Sequence, residues 1–107
     1  MKTELQNTTA QQILAEELAF HELRRQGYKV LLRNYECALG EIDLVAKERG
    51  ALVFISVNPK EKEAVKKAAA YYVKRYGIAD VALRFDTVKV VIRKRKEPTI
   101  TIHKEDA

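Results

Sequence analysis

The chain has 107 residues, of which 47% are hydrophobic and 33% charged, and its formal net charge is +5. These proportions indicate a folded domain with its own core and exclude an intrinsically disordered chain. No apolar run reaches the roughly 20 residues of a membrane-spanning helix, and the single cysteine, Cys37, excludes an intramolecular disulfide. We therefore expect a cytoplasmic protein without a membrane partner, and the positive charge favours polyanions.

The apolar periodicity predicts one domain over residues 1–107, with residues 1–6 as a flexible tail. A capping box at Thr9 opens a first helix that ends near Gln26, where Gly27 follows. The remaining predictions are strands at residues 28–35, 41–47, 52–57, 80–84, 87–93 and 99–103, and a second helix at residues 60–76. This order predicts an α/β fold in which helices flank a mixed sheet.

A carboxylate interrupts the second predicted strand. Asp43 lies in the middle of the otherwise apolar, strand-forming segment Ile42–Ala46. Because burying an isolated carboxylate is costly, Asp43 needs a metal, a base or a network of donors as its partner. The alternative is a structural aspartate that caps a loop or pairs with an arginine.

The first helix carries a second acid on its predicted inner face. At about 100° per residue, Ile13, Ala19, Phe20 and Leu23 share one sector of the helix, and Glu16 falls within it. We therefore expect Glu16 to face the sheet. The alternative is an edge glutamate whose long side chain reaches solvent.

The second and third strands predict a hairpin with polar pairs. A turn at residues 48–51 sets Asp43 opposite Ser56 and Glu41 opposite Asn58, with both pairs on one face. A cluster of Glu16, Glu41 and Asp43 could hold Mg²⁺ or Mn²⁺ weakly, since these ions prefer hard oxygen ligands. Such a site could hydrolyse phosphodiesters by activating water and stabilising developing charge.

Basic residues concentrate near the last predicted strands. The block at residues 93–96 contains four cations and no acid, which suits sequence-independent contact with phosphates. The alternative for the basic positions is a solvated surface. The candidate nucleic-acid-binding residues are Arg93, Lys94, Arg95, Lys96, Arg33 and Lys60.

Four segments resemble one known family over about residues 15–90. They are the first-helix pattern Ala15–Ala19 with the following Gly27-Tyr28, then Leu32–Tyr35, the most specific segment Gly40–Ala46, and Arg84–Val88. Together they resemble the YraN-like family of predicted endonucleases in the restriction-endonuclease-like PD-(D/E)xK superfamily. The resemblance implies a three-layer restriction-endonuclease-like fold, with a mixed central sheet flanked by helices.

The third strand departs from this family. The family's Glu-x-Lys element is replaced by Ser56-Val57-Asn58, whereas Glu16 and Asp43 are retained. In the superfamily the two acids hold the metal and the lysine activates water, so the resemblance places the catalytic positions at Asp43, Glu16, Ser56 and Asn58. Either Lys60 or Lys62 is an alternative source of the cation. The resemblance also implies that Ser56→Glu with Asn58→Lys would restore metal-dependent nicking.

The sequence thus leaves two functions open. One is a nuclease-like protein that contacts nucleic acid, DNA in particular, through an eroded metal-dependent phosphodiesterase site with weak or no cleavage. The other is a non-catalytic structural or regulatory protein, with a homodimer as one form, that uses the same fold to bind a protein partner. Salt-dependent DNA binding separates the two.

Overall fold

A computed structural model describes residues 10–59 and 62–105. The elements are α1 (Ala10–Arg25), β1 (Lys29–Cys37), β2 (Gly40–Glu48), β3 (Ala51–Val57), α2 (Lys62–Arg75), β4 (Ala82–Val91) and β5 (Thr99–Glu105). The predicted tail at residues 1–6, the capping residue Thr9 and the candidate Lys60 lie outside the described residues. None of the described helices is both long and apolar enough to cross a membrane.

The five strands form one mixed sheet in the order β1-β2-β3-β4-β5. Strands β3 and β4 are parallel and the other neighbours are antiparallel, so α2 forms the crossover between the two parallel strands. The helix α1 packs against one face of the sheet, and α2 packs against the other. This arrangement confirms the predicted three-layer, restriction-endonuclease-like α/β fold.

Glycine ends both helices in the predicted way. The amide of Gly27 donates to the carbonyl of Arg24, and the amide of Tyr28 donates to the carbonyl of Leu23. These two bonds form a Schellman motif around Gly27, whose φ of 100° suits glycine. The same pair of bonds closes α2 around Gly77. The motif turns Tyr28 into the core, where it is buried.

The buried stripe of α1 differs from the predicted one. Ala15, Ala19 and Leu23 are buried at a spacing of four residues, whereas Ile13 is 55% exposed. Small alanine side chains allow the helix axis to approach the sheet closely, and the stripe they form leaves Ile13 on the solvent side. The prediction that Ile13 faces the sheet was wrong, and Glu16 lies half-buried beside this stripe.

The hairpin between β2 and β3 has the predicted register. Val45 pairs with Phe54, and Glu48 pairs with Ala51 across the two-residue turn Arg49-Gly50. Both turn residues have positive φ, 53° and 79°, as a tight hairpin turn of this twist requires.

One continuous strand replaces the two that we predicted at residues 80–84 and 87–93. Strand β4 runs from Ala82 to Val91 without interruption. Two polar residues near the predicted break, Arg84 and Asp86, pair with each other at 2.8 Å inside the protein. Their mutual neutralisation lets the strand continue through the core.

The tip of the β1–β2 hairpin lies against the start of α2. A Cβ atom built at Gly40 would lie 2.7 Å from the carbonyl oxygen of Ala64. Backbone therefore contacts backbone at this point, which only glycine permits.

Candidate functional site

The site is built where β3 ends. The last ladder pair between β2 and β3 is Leu44 with Ile55. One step further, the Oδ2 atom of Asp43 accepts a 2.7 Å hydrogen bond from the amide of Val57. The Asp43 carboxylate therefore accepts the hydrogen bond of a backbone amide at the point where the regular ladder between β2 and β3 ends.

The helix α1 brings a second carboxylate to the same place. The Nε2 atom of Gln12 donates to Glu16 Oε2 at 2.9 Å and to the carbonyl oxygen of Val57 at 3.2 Å. The amide and the carbonyl of Val57 thus contact Asp43 and Gln12, respectively. The structure brings together Glu16 and Asp43, which we call the carboxylate pair.

The carboxylate pair is electrostatically unfavourable. The pKa of Asp43 is raised to about 6, mainly by burial and to a smaller extent by the negative charges of Glu16 and Glu41. The hydrogen bond from the Val57 amide acts in the opposite direction but does not compensate. Asp43 therefore ionises near neutral pH, unlike an ordinary aspartate.

The predicted partners on β3 do not join this pair. Leu52 and Phe54 pack on the α2 side of the sheet, so alternation along the strand directs the buried Ser56 to the α2 side as well. The expected convergence of Ser56 with Glu16 on one side of the sheet was wrong. Asn58 has φ 47° and directs its side chain to Val90 of β4, away from β2.

Glu41 is exposed and pairs with Glu36 of β1. The expected pairing of Glu41 with Asn58 was wrong, because β3 ends at Val57 and Asn58 bonds to β4 instead. Glu41 contributes negative charge near Asp43 but lies at the solvent edge of the site.

Among the residues that the structure describes, Glu16, Glu41 and Asp43 do not form the predicted cluster of three metal ligands. Within the segments that the structure describes, no group of three or more His, Cys, Asp or Glu side chains is arranged to hold a metal ion. Of the predicted ligands, Glu16 is bonded to Gln12, Asp43 is bonded to Val57, and Glu41 lies at the solvent edge. Mg²⁺ is usually held by only one or two carboxylates together with water and phosphate oxygens, so weak binding of Mg²⁺ or Mn²⁺ at Glu16 and Asp43 stays a prediction.

The predicted basic block forms an exposed loop between β4 and β5, which we call the basic loop (Arg93–Lys96). Because Val57 pairs with Val88 in the parallel ladder, the C-terminal ends of β3 and β4 lie at the same end of the sheet. The basic loop follows β4, so it lies at the same sheet end as the carboxylate pair. Arg93 donates to the hydroxyl of Thr99 and closes the base of the loop.

The other predicted basic contacts are not part of this loop. Arg33 donates to Glu17 Oε1 at 2.8 Å, and its guanidinium lies 4.2 Å from the ring centroid of Phe20. It is therefore engaged with α1. Lys60 and the side chain of Lys62 lie outside the described part of the chain.

Sequence reasoning missed a buried ion-pair network at the opposite end of the same sheet face. The Nε and Nη2 atoms of Arg84 donate to the two carboxylate oxygens of Asp86, each at 2.8 Å. Arg84 Nη2 also donates to Glu48 Oε1 at 2.7 Å, and Tyr28 Oη donates to Asp86 Oδ2 at 2.7 Å. Lys104 Nζ reaches Glu48 Oε2 at 3.1 Å.

The criterion that singled out Asp43 could have found this network. Asp86 is also a carboxylate that precedes an apolar strand segment, Val88–Ile92. Burial by itself would raise the pKa of Glu48, but hydrogen bonds from Arg84 and Lys104 outweigh it and hold that pKa below its usual value. The hydrogen bond to Asp86 raises the pKa of Arg84 despite burial. Glu48 is therefore ionised, and its charge is compensated by Arg84 and Lys104.

The layers and the acid positions together define an α/β protein of the restriction-endonuclease-like class. A sequence model described as "Uncharacterised protein family UPF0102" matches residues 15–90. The chain belongs to this family, which confirms the predicted YraN-like resemblance.

Relatives named "UPF0102 protein" come from several bacteria. The relative from Caldicellulosiruptor saccharolyticus is 34% identical, over 77% of this chain and 82% of its own. The relative from Nitrosococcus oceani is 36% identical, over 75% and 77%. The relative from Moorella thermoacetica is 34% identical, over 78% and 82%. Similarity thus extends over most of both chains in each comparison.

Proposed function

We propose that this protein binds the phosphate backbone of nucleic acid, DNA in particular, with its basic loop, and that its phosphodiesterase site is eroded. One observation carries the proposal: four exposed cations without an intervening acid lie at the sheet end that holds the carboxylate pair. Phosphate contacts by lysine and arginine supply most of the affinity in sequence-independent binding.

The conformation of the basic loop supports this role. Arg95 adopts φ 60°, a left-handed conformation that costs a residue with a Cβ about 1–2 kcal/mol. Glycine or asparagine would remove most of this cost, but neither carries a positive charge. A cation held in an unfavourable backbone conformation indicates that its charge is needed there.

Erosion of the catalytic site rests on the side chains around Asp43. The neutral Ser56 is directed to the other face of the sheet, and the neutral Asn58 is bonded to Val90. Neither supplies a carboxylate for a metal or a cation beside an attacking hydroxide. We therefore expect at most trace Mg²⁺- or Mn²⁺-dependent cleavage.

The test measures fluorescence anisotropy of a short labelled DNA duplex across a salt titration. The loop variant changes Arg93, Lys94, Arg95 and Lys96 to glutamine. The matched control changes four exposed lysines elsewhere to glutamine, which removes the same net charge. These lysines are Lys29, Lys47, Lys67 and Lys74.

The wild type should bind with an affinity that falls steeply with salt. Four phosphate contacts correspond to a slope of roughly −3 to −4 in log affinity against log salt. The loop variant should lose nearly all of this slope, and the matched control should retain most of it. Absence of binding at low salt, or equal losses in the two variants, would overturn the proposal and favour a protein partner.

A further inference from the structure

Asn58 joins the end of β3 to the strand that leads into the basic loop. Its Nδ2 atom donates to the carbonyl oxygen of Val90 at 3.0 Å, and its Oδ1 atom accepts from the amide of Val90 at 2.9 Å. The backbone amide of Asn58 also donates to the carbonyl of Val88 at 2.9 Å. The carboxamide therefore continues the parallel ladder after β3 itself has ended at Val57.

Few residue types can make this connection. The two bonds to Val90 need one donor and one acceptor on a short side chain, and asparagine carries both. Position 58 also has φ 47°, a left-handed conformation in which asparagine is enriched. Aspartate would lack the donor, and glycine would adopt the backbone but lack both bonds.

The connection fixes one end of the basic loop. Val90 lies three positions before Arg93, so the two carboxamide bonds hold the strand just before the loop begins. The pairing of Val91 with Thr99 and the bond from Arg93 to Thr99 join this end of the loop to its other end. The side chains of Lys94, Arg95 and Lys96 thus project from a short segment whose ends are both fixed.

We propose that Asn58 is a positioning residue for nucleic-acid binding: it fixes the basic loop so that its cations contact consecutive backbone phosphates. This inference rests on the proposed function of the loop. Fixing the loop before binding lowers the conformational entropy lost when its long side chains engage the ligand. Asn58 acts through Val90 and the loop, and its own side chain contributes no charge to the ligand.

The test compares Asn58→Gly with Asn34→Gly. Asn34 is also an asparagine at positive φ, 56°, but it lies on β1, away from the basic loop. Both changes preserve net charge and suit the left-handed backbone, so they differ mainly in the loss of the Val90 bonds. Binding of a short labelled DNA duplex is measured across a salt titration, at a temperature where both variants are fully folded. Amide hydrogen exchange at Val90 is followed in parallel.

Asn58→Gly should weaken binding at low salt by roughly 5- to 20-fold and reduce the magnitude of the salt slope by about one phosphate contact. Exchange at the Val90 amide should accelerate, because its acceptor is lost. Asn34→Gly should leave all three quantities within error of the wild type.

The outcomes distinguish this inference from the proposed function. If the wild type binds and Asn58→Gly has the same affinity and salt slope, the positioning role is overturned while the function of the loop stands. If affinity falls but exchange at the Val90 amide does not change, the loss does not come from the connection between Asn58 and Val90, and the positioning role is again overturned. If the wild type does not bind, both proposals fail together.

Discussion

Two groups of acids lie at opposite ends of the sheet, and they differ in burial and in their partners. In the ion-pair network, Glu48 and Asp86 are matched by Arg84 and Lys104. In the carboxylate pair, Glu16 and Asp43 receive their hydrogen bonds from neutral groups, the side chain of Gln12 and the amide of Val57. One group is compensated, and the other retains unrelieved negative charge.

The two groups of acids therefore have different roles: the ion-pair network stabilises the fold, and the carboxylate pair lies beside the proposed binding surface. A compensated network joins β2, β4, β5 and Tyr28, which lies between α1 and β1, and it stabilises their arrangement. An uncompensated pair is unfavourable for folding at neutral pH, and such acids with raised pKa values are commonly found at functional sites. The basic loop lies at the uncompensated end, which is where the proposed binding takes place.

The largest expected effect comes from breaking the compensated network. Arg84→Met leaves Asp86 and Glu48 without their shared partner, and removing one partner of a buried ion pair typically costs about 3–5 kcal/mol. The matched control is Arg49→Met, because Arg49 also contacts Glu48, at 3.4 Å, but its side chain is 83% exposed. The control should lose less than about 1 kcal/mol. Urea denaturation at neutral pH measures the free energy of unfolding of both variants. Similar losses of stability would show that the burial of Arg84 does not determine the strength of its ion pairs.

The next effect concerns the uncompensated end and depends on pH. The pKa of Asp43 is about 6 in the folded protein, above its ordinary value of 3.8. The contribution of Asp43 to stability is therefore fully present below about pH 4 and is lost as pH rises through about 6. Asp43→Asn keeps an acceptor for the Val57 amide and removes the charge. It should stabilise the protein by about 3 kcal/mol near pH 8 and by almost nothing near pH 4.

Urea denaturation at the two pH values checks this prediction, with Glu41→Gln as the control. Glu41 is exposed and adds only a minor part of the repulsion, so its change should have a small effect at both pH values. A variant Asp43→Asn that is less stable than the wild type near pH 8 would show that the charge of Asp43 is favourably bound.

A smaller loss is expected from Tyr28→Phe. The change removes the 2.7 Å hydrogen bond to Asp86 Oδ2 but leaves Asp86 with both bonds from Arg84. The cost should be about 1.5 kcal/mol, the usual value for a hydrogen bond to a charged group. Thermal or urea unfolding measures it, and a loss as large as that of Arg84→Met would mean that the tyrosine, rather than the arginine, holds the network together.

The smallest expected effect is on catalysis. The combined change Ser56→Glu and Asn58→Lys should give no more than trace Mg²⁺- or Mn²⁺-dependent nicking of supercoiled DNA. The new glutamate would be directed to the α2 side, and the new lysine would replace the bonds to Val90. This outcome differs from the one that the family resemblance implies. Strong nicking that is abolished by Asp43→Ala would show that the strand end rearranges around a metal.

Much of the fold could be predicted from the sequence because the residues that mark helix ends and turns lie close together in the chain. Gly27 and Gly77 mark helix ends, and Arg49-Gly50 marks a hairpin turn, through backbone preferences that neighbouring residues already display. The association of Glu16 with Asp43 followed from two local periodicities. The network around Asp86 was missed because its partners come from residues 28, 48, 84 and 104, which no local pattern links.

The orientation of Asn58 could not be predicted for a related reason. A period-two reading assumes that the strand continues, whereas β3 ends at Val57 and the next residue adopts positive φ. The side chain is then directed by Val90, a partner 32 residues away in sequence. The resemblance to a catalytic motif identifies position 58 as part of that motif, but it does not predict the direction in which the Asn58 side chain points.

The bare backbone contact at Gly40 has a mechanical consequence. The hairpin tip rests directly on the carbonyl of Ala64, so the first turns of α2 cannot shift towards the hairpin without displacing it. Two residues beyond Gly40 the strand reaches Ile42, which is buried among residues that α2 covers, and then Asp43. A displacement of the start of α2 would therefore be transmitted to Asp43 through the hairpin tip and Ile42, from the opposite face of the sheet.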